Sequence, residues 1–222
     1  MKPILIRVLV VFLIFFSGWA VVNFVLTPEK PLPVLSPGDI NPKLVDESLH
    51  GKKGKHRVAP FSLTDQGGRT VTEARFKDKI YVADFFFTTC PTICKDMARN
   101  MRRLQDEFKD ESQVLFLSHS VTPEMDSVPV LKAYSEKNGA VSGKWIITTG
   151  DKKHIYELAR KSYFAVLTEG DGGEVDFIHT ENFVLVDTEG RLRGFYDGTN
   201  DDEMKLLIRD IRKLLKETRK PE

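Results

Sequence analysis

Hydrophobic positions change their spacing along this chain, and each spacing predicts a different element. Between residues 4 and 26 almost every position is apolar, and Arg7 is the sole charged residue. A run of that length can cross a hydrocarbon core of about 30 Å as a helix. The pattern therefore predicts a single transmembrane anchor within residues 1–26.

The charges around this run predict its orientation. Lys2 and Arg7 lie at its start, so the positive-inside rule keeps the N-terminus in the cytoplasm and places the rest of the chain outside. No Arg-rich, Ser-rich presequence precedes the run, which favours a bacterial inner membrane with the domain facing the periplasm or cell exterior. A cleaved signal peptide is the alternative, because Gly18 and Ala20 resemble a small-residue cleavage site. The apolar run continues past Ala20, which favours an uncleaved anchor.

Residues 27–56 are predicted to be a linker. A stretch rich in proline is stiff and extended, and a Lys-rich, Gly-containing approach segment follows it. The prolines are Pro28, Pro31, Pro33, Pro37 and Pro42. Residues 57–222 then form the exported domain.

Strand and helix patterns alternate through that domain. Residues 80–87 are almost unbroken apolar, which is typical of a strand buried on both faces. A helix follows, with Met97, Met101, Leu104 and Phe108 on one face. The other predicted elements are a hairpin over 61–71, strands at 114–117 and 145–148, helices near Pro123 and over 155–160, a hairpin over 183–196, and a last helix from Asn200. This order predicts an α/β fold, a thioredoxin-like sandwich with a central mixed sheet.

Composition and charge exclude several classes of protein. Hydrophobic residues make up 41% and charged residues 29% of the 222 residues, which excludes a disordered or multi-span chain. The balance of 33 basic against 32 acidic residues gives no field suited to nucleic acid, so no nucleic-acid partner is expected.

The two cysteines of the chain fall in TTCPTIC at residues 88–94, between the buried strand and the first long helix. Pro91 places Cys90 in the loop, and Cys94 should lie in the first helical turn, where the helix dipole lowers a thiol pKa. This spacing allows both thiolates to bind one metal or to form a disulfide. Two small buried core residues are the plain alternative, so the motif indicates redox or metal chemistry without deciding between them.

Two thiolates leave a metal site incomplete, and the histidines are candidates for a third ligand. His119 ends the strand beside the one that carries the site, and His179 precedes the strand at 183–186. The remaining histidines lie in polar stretches and are expected in solvent: His50, His56 and His154.

The combination of FFFTTCPTIC at 85–94, an isolated His179 before FVLVD, and GTND at 198–201 resembles the Sco/SenC copper-chaperone family. The resemblance covers the exported domain and the N-terminal anchor. It implies Cys90, Cys94 and His179 as ligands of Cu(I) or Cu(II), and a redox disulfide between the two cysteines. Lys95 is a departure, since many members have a proline directly after the second cysteine.

The resemblance also implies a partner, and Asp84 is a separate candidate for the site. The usual copper acceptor is the binuclear copper centre of cytochrome c oxidase, a respiratory oxidase subunit. Asp84 lies six residues before Cys90, where the wider thioredoxin superfamily often has a buried carboxylate; with a raised pKa it would exchange protons with a thiol. A backbone-bonded strand-end aspartate is the alternative.

These residues predict a metallochaperone rather than an enzyme. Two thiolates and an imidazole suit copper, whereas a structural zinc site would need a fourth protein ligand. Two other functions use the same pair of cysteines. One is a thiol–disulfide oxidoreductase that reduces acceptor cysteines before metal loading, and the other is a redox-sensing interaction protein.

Overall fold

The chain divides into two units, Met1–Pro31 and Leu32–Glu222. The structure is a computed structural model, and it describes residues 2–26, 30–45, 49, 54, 56–166, 173 and 176–219. Part of the predicted linker over 27–56 therefore lies outside the described residues.

The described residues of the first unit form helix α1 (Lys2–Leu26). Its large apolar side chains are exposed, Phe12 and Phe15 by 71% and 76%. Across the part of the chain that the structure describes, no helix qualifies as long and apolar enough to span a membrane. The transmembrane anchor stays a prediction.

Within the described residues of the second unit, seven strands form one sheet in the order β2-β1-β5-β4-β3-β6-β7. The central strands β3, β4 and β5 are parallel, and the flanking pairs are antiparallel, which confirms the predicted mixed sheet. The strands are β1 (Ser62–Asp65), β2 (Thr70–Thr72), β3 (Ile80–Phe86), β4 (Val114–Ser120), β5 (Trp145–Thr149), β6 (Asn182–Val186) and β7 (Leu192–Asp197).

Helices connect the strands and cover the sheet. They are α2 (Ile93–Glu107), α3 (Val128–Asn138), α4 (Lys152–Glu157), which continues as a π-helical turn (Leu158–Ser162), and α5 (Asp201–Arg219). The helix predicted near Pro123 was placed too early, because the residues before Val128 form a polar turn around the buried Asp126. Asn200 begins α5 as predicted, since its side chain accepts the N–H groups of Asp202 and Glu203.

The two faces of the sheet carry separate core layers. Alternate residues of β3 point to opposite faces, so Val82 and Phe86 pack with α2 and α5, whereas Ala83 and Phe85 pack in the layer that contains α4. Both cysteines belong to the layer with α2 and α5. The functional site therefore lies on one face of the sheet, at the carboxyl end of β3.

At the opposite end of β3, the segment 32–35 packs along the edge strand β7. The N–H of Leu35 donates to the carbonyl of Leu192 at 2.9 Å. Arg193, 6% exposed, donates to the carbonyls of Leu32 and Pro33 and pairs with Asp187 at 2.9 Å. The segment is thereby fixed to the sheet from its first residue.

Candidate metal and redox site

Cys90 and Cys94 are both free thiols, and both are buried. Cys90 lies in the loop after β3, where its N–H donates to the carbonyl of Phe87 at 3.3 Å. Cys94 lies in the first turn of α2, as predicted. Their exposed fractions are only 6% and 5%, so the loop and the helix together cover the pair.

The two thiols interact electrostatically, and this interaction shifts their pKa values in opposite directions. Burial alone raises the pKa of Cys90, but its interaction with Cys94 and with the backbone N–H groups of Thr92 and Cys94 outweighs burial and leaves the pKa below its usual value. Burial, followed by the interaction with Cys90, raises the pKa of Cys94 to about 12. Cys90 therefore has the greater thiolate character of the pair.

The expectation that the helix dipole would favour a thiolate at Cys94 was wrong. Cys94 does lie at the helix start, but burial and its interaction with Cys90 determine its pKa. The partial charge of a helix end is a smaller effect than the removal of a thiolate from water.

Asp84 lies in β3 on the same sheet face as the cysteines, and its charge contributes to the raised pKa of Cys94. Its carboxylate accepts a hydrogen bond from the hydroxyl of Ser118, which in turn accepts the indole N–H of Trp145 at 2.9 Å. Burial raises the pKa of Asp84 to about 7, although the Ser118 bond opposes the shift. The alternative, a strand-end aspartate hydrogen-bonded to the backbone, was wrong. The Asp84 carboxylate accepts its hydrogen bond from the Ser118 side chain inside the core.

Two further residues shape the site without a signal in the sequence. Tyr134 stacks on Phe86 at 4.7 Å between ring centroids, and burial, with the charges of Asp84 and the cysteines, raises its pKa. Asp126, fully buried, accepts hydrogen bonds from both the N–H and the hydroxyl of Thr88. These contacts hold the loop that carries Cys90 against the end of β4.

His179 lies on an exposed position of the segment before β6. Its ring is 6.5 Å, centroid to centroid, from that of Phe87, whose carbonyl accepts the N–H of Cys90. The backbone of Phe87 also bonds to Cys94. The structure thus places His179 next to the residue that contacts both cysteines.

The three predicted copper ligands, Cys90, Cys94 and His179, do not converge on one metal position in this structure. Among the described residues, no group of three or more His, Cys, Asp and Glu side chains is close enough to hold a metal ion. The pair of soft sulfur donors fits Cu(I), which accepts two thiolates. Cys90 and Cys94 lie in one core layer, Asp84 faces the same layer, and His179 lies on an exposed position beside Phe87.

His119 is placed on the other face of the sheet. It is fully buried among Phe61, Phe85 and Tyr163, with ring centroids 5.1–5.9 Å apart. Its Nδ1 lies 2.9 Å from the hydroxyl of Thr148, and its Nε2 has no hydrogen-bond partner within the described residues. The sheet separates this imidazole from the cysteine layer, so His119 is not a ligand in this arrangement.

Of the other histidines, His50 lies outside the described residues. His56 was expected in solvent, and that expectation was wrong. Its Nε2 lies 2.7 Å from the carbonyl oxygen of Ser162, and its ring packs 4.6 Å from that of Phe164. His56 therefore packs against the core layer that contains Phe164, on the sheet face opposite the cysteines.

Comparison with known proteins adds to this geometry. The model of the SCO1/SenC family matches residues 50–216. The chain is 33% identical over 159 residues to a SCO1 protein homolog of Bacillus subtilis, covering 71% of this chain and 82% of the relative.

Two solved structures are similar in fold and sequence. One is BsSco, described as a Sco-family cytochrome c oxidase assembly protein with a disulfide switch; the TM-score is 0.59 and the identity 31%, over 71% of this chain and 94% of that one. The other is ScoI of Arabidopsis thaliana with copper bound, with a TM-score of 0.56 and 28% identity over 69% of this chain and 97% of that one.

Proposed function

This chain belongs to the SCO1/SenC family, and we propose that it binds copper and delivers it during assembly of cytochrome c oxidase. The observation that carries the proposal is the pair of free, buried thiols, Cys90 and Cys94, which lie in one core layer between β3 and α2. Relatives described as copper-bound and as oxidase assembly proteins support it. The acceptor we propose is the binuclear copper centre of the oxidase.

Copper loading requires both sulfurs to be thiolates. Cys90 has the lowered pKa and is the first donor, whereas Cys94 must lose its proton as the metal binds. Asp84 is positioned to receive that proton, because its charge acts directly on Cys94 and its own pKa is raised to about 7. Loading displaces the Cys94 proton, which passes to Asp84 or, where Asp84 is already protonated, to solvent, so copper binding should become weaker in acid.

We propose His179 as the third ligand. Its exposed position next to Phe87 supports this role, since an exposed imidazole can approach the thiolates and can also leave them. Cu(I) is stable with the two thiolates alone, whereas Cu(II) prefers more donors and would depend on the imidazole. A ligand that joins and leaves the metal suits a protein that must give its copper away.

We also propose that residues 4–26 anchor the protein in a bacterial inner membrane, with the domain facing the periplasm. The exposed apolar side chains of α1, together with Lys2 and Arg7 at its start, support this. N-terminal sequencing of mature protein taken from membranes tests it. A mature N-terminus near Val21 would instead mean a cleaved signal peptide.

A second function, thiol–disulfide exchange with the acceptor, is favoured by the opposite pKa shifts of the cysteines. A reactive thiolate beside a protonated partner can attack a disulfide, and the partner then releases the product. Measuring the rate at which metal-free protein reduces acceptor disulfides separates this function from copper delivery.

The copper proposal is tested by titrating the reduced full-length protein, in detergent, with Cu(I) against a competing chelator. One tight copper per chain is expected, and Cys90→Ser or Cys94→Ser should each abolish the tight site. Oxidised protein should bind none tightly. Undiminished one-to-one binding in either single variant would refute the proposal.

A further inference from the structure

The segment that carries His179 alternates exposed and buried side chains. Phe177 is 53% exposed and His179 is exposed, whereas Ile178 and Thr180 are 3% and 6% exposed. The ring of Phe177 packs edge-on against Phe87 with centroids 5.0 Å apart. The outward side chains therefore face the cysteine loop, and the inward ones fix the backbone to the core.

Asp176, at the start of this segment, is held by two side chains of the α4 region. Arg160 donates two hydrogen bonds to its carboxylate, both 2.7 Å, and the side chains of the pair are only 8% and 9% exposed. The hydroxyl of Tyr156 lies 3.1 Å from the carbonyl oxygens of both Asp176 and Val121. Val121 follows β4 and donates its N–H to Phe86 in β3. Asp176 is thus tied to the strand ends next to the cysteine loop.

The other end of the segment is held as well. The hydroxyl of Thr180 and the side-chain amide of Asn182 both donate to the carbonyl of Ala165 at 2.8 Å. Ala165 lies three residues after the π-helical turn, and its N–H donates to the carbonyl of Ala159 within that turn. His179 therefore lies between two attachments that both lead back to that turn.

The π-helical turn places Arg160 where it can make this contact. The N–H of Tyr163 donates to the carbonyl of Leu158, five residues earlier, and Leu158, Ala159 and Arg160 are all buried. The wider turn brings three consecutive residues to the core, and such turns are frequent at functional sites. A buried guanidinium is costly unless it is paired, so the Asp176 contact explains its presence.

We propose that Arg160 is a positioning residue for His179: its ion pair with Asp176 holds residues 176–180 so that the imidazole stays beside the cysteine loop. The proposal rests on His179 being the third copper ligand.

The first experiment needs no copper. Hydrogen exchange of residues 176–182 is measured by mass spectrometry in reduced, metal-free full-length protein and in Arg160→Met. We expect exchange there to become about tenfold faster, with residues 88–94 unchanged. Arg193→Met is the matched control, because it breaks an ion pair that is buried at least as deeply, with Asp187, at the far end of β3. If Arg160→Met and Arg193→Met accelerate residues 176–182 equally, the positioning role is wrong.

The second experiment measures copper in the same variants. Arg160→Met should weaken Cu(II) binding and remove the nitrogen hyperfine signal of the imidazole in the electron paramagnetic resonance spectrum, while Cu(I) affinity and the disulfide reduction potential stay as in the wild type. Arg160→Lys keeps the charge but loses the bidentate contact, so its Cu(II) affinity should lie between those of the wild type and Arg160→Met. A wild-type nitrogen signal in Arg160→Met would overturn the inference.

The two proposals fail in different ways. If wild-type protein binds Cu(II) without a nitrogen signal from His179, the ligand assignment is wrong, and the role of Arg160 toward copper falls with it. If His179→Ala removes that signal and Arg160→Met does not, the ligand stands and only the positioning role is refuted.

Discussion

Asp84 and His119 lie one register position apart on the parallel strands β3 and β4, and their side chains face opposite core layers. Burial shifts their pKa values in opposite directions. It raises the pKa of Asp84 to about 7 and lowers that of His119 to about 3. Each shift favours the uncharged form of the group, so the two residues should respond to pH with opposite sign.

Asp84→Asn should stabilise the protein at alkaline pH. The pKa of Asp84 is higher in the folded than in the unfolded protein. The free energy of unfolding is therefore unaffected by Asp84 ionisation below about pH 4, and it falls as the pH rises through about 7. Asparagine keeps an acceptor for Ser118 and cannot ionise. In urea unfolding of reduced protein, the gain of Asp84→Asn over wild type should be about 2–3 kcal/mol larger at pH 8 than at pH 5.

Asp187→Asn is the control for that experiment. Asp187 is also buried, but hydrogen bonds from the backbone and from Arg191 and Arg193 outweigh the burial and lower its pKa. The ionised Asp187 contributes to the free energy of unfolding at every pH above its pKa in the unfolded chain. Asp187→Asn should therefore destabilise the protein at pH 8. A pH-independent difference between Asp84→Asn and wild type would show that Asp84 is already ionised in the folded protein.

His119→Phe should make the protein more resistant to acid. The pKa of His119 is lower in the folded than in the unfolded protein. Its contribution to the free energy of unfolding is therefore present above about pH 6.5 and is lost as the pH falls toward about 3. The wild type should therefore lose roughly 2 kcal/mol more than His119→Phe between pH 6.5 and 4.5, measured by urea unfolding. An equal loss in both proteins contradicts the burial of a neutral imidazole.

Cys90 should react with iodoacetamide before Cys94. At pH 8 the lowered pKa of Cys90 gives it the larger thiolate fraction, and the thiolate is the nucleophile. Peptide mapping after a limiting dose of reagent measures the order. Cys94→Ala removes the interaction that lowers the pKa of Cys90 and should slow the reaction of Cys90. Faster labelling of Cys94 than of Cys90 in the wild type would contradict the assignment.

His179→Ala should weaken Cu(II) binding and change its thiolate charge-transfer absorption, and it should leave most of the Cu(I) binding and the disulfide chemistry intact. Cu(II) needs the extra donor, whereas two thiolates satisfy Cu(I). His119→Phe is the control, because that imidazole faces the other core layer. The ligand assignment fails if His119→Phe bleaches the Cu(II) band while His179→Ala does not.

The local pattern was sufficient to predict the elements around the cysteines. Strand β3 was readable from its apolar run, and Cys94 from its place just after Pro91. The side of the sheet that His119 faces was not readable, because every residue of β4 is buried and the strand shows no polar alternation. Only the register with β3, where Asp84 pairs with Ser118 and Phe85 with His119, decides it.

The electrostatics of the site were harder to predict than its position. The sequence places Cys94 at a helix start, but it does not show how deeply the thiol is buried or that its interaction with Cys90 raises its pKa. The contacts of Asp126 with Thr88 and of Arg160 with Asp176 join residues far apart in the chain. Long-range pairs of this kind leave no periodic signal.

The segment 32–35 has a consequence for how the domain behaves in solution. Strand β7 is an edge strand of the sheet, and the N–H of Leu35 donates a hydrogen bond to the carbonyl of Leu192 on that edge. A fragment beginning at residue 57 would leave the edge open and would remove from Arg193 the carbonyls of Leu32 and Pro33. An open edge strand is a template for pairing with another chain, so such a fragment would be prone to self-association and aggregation.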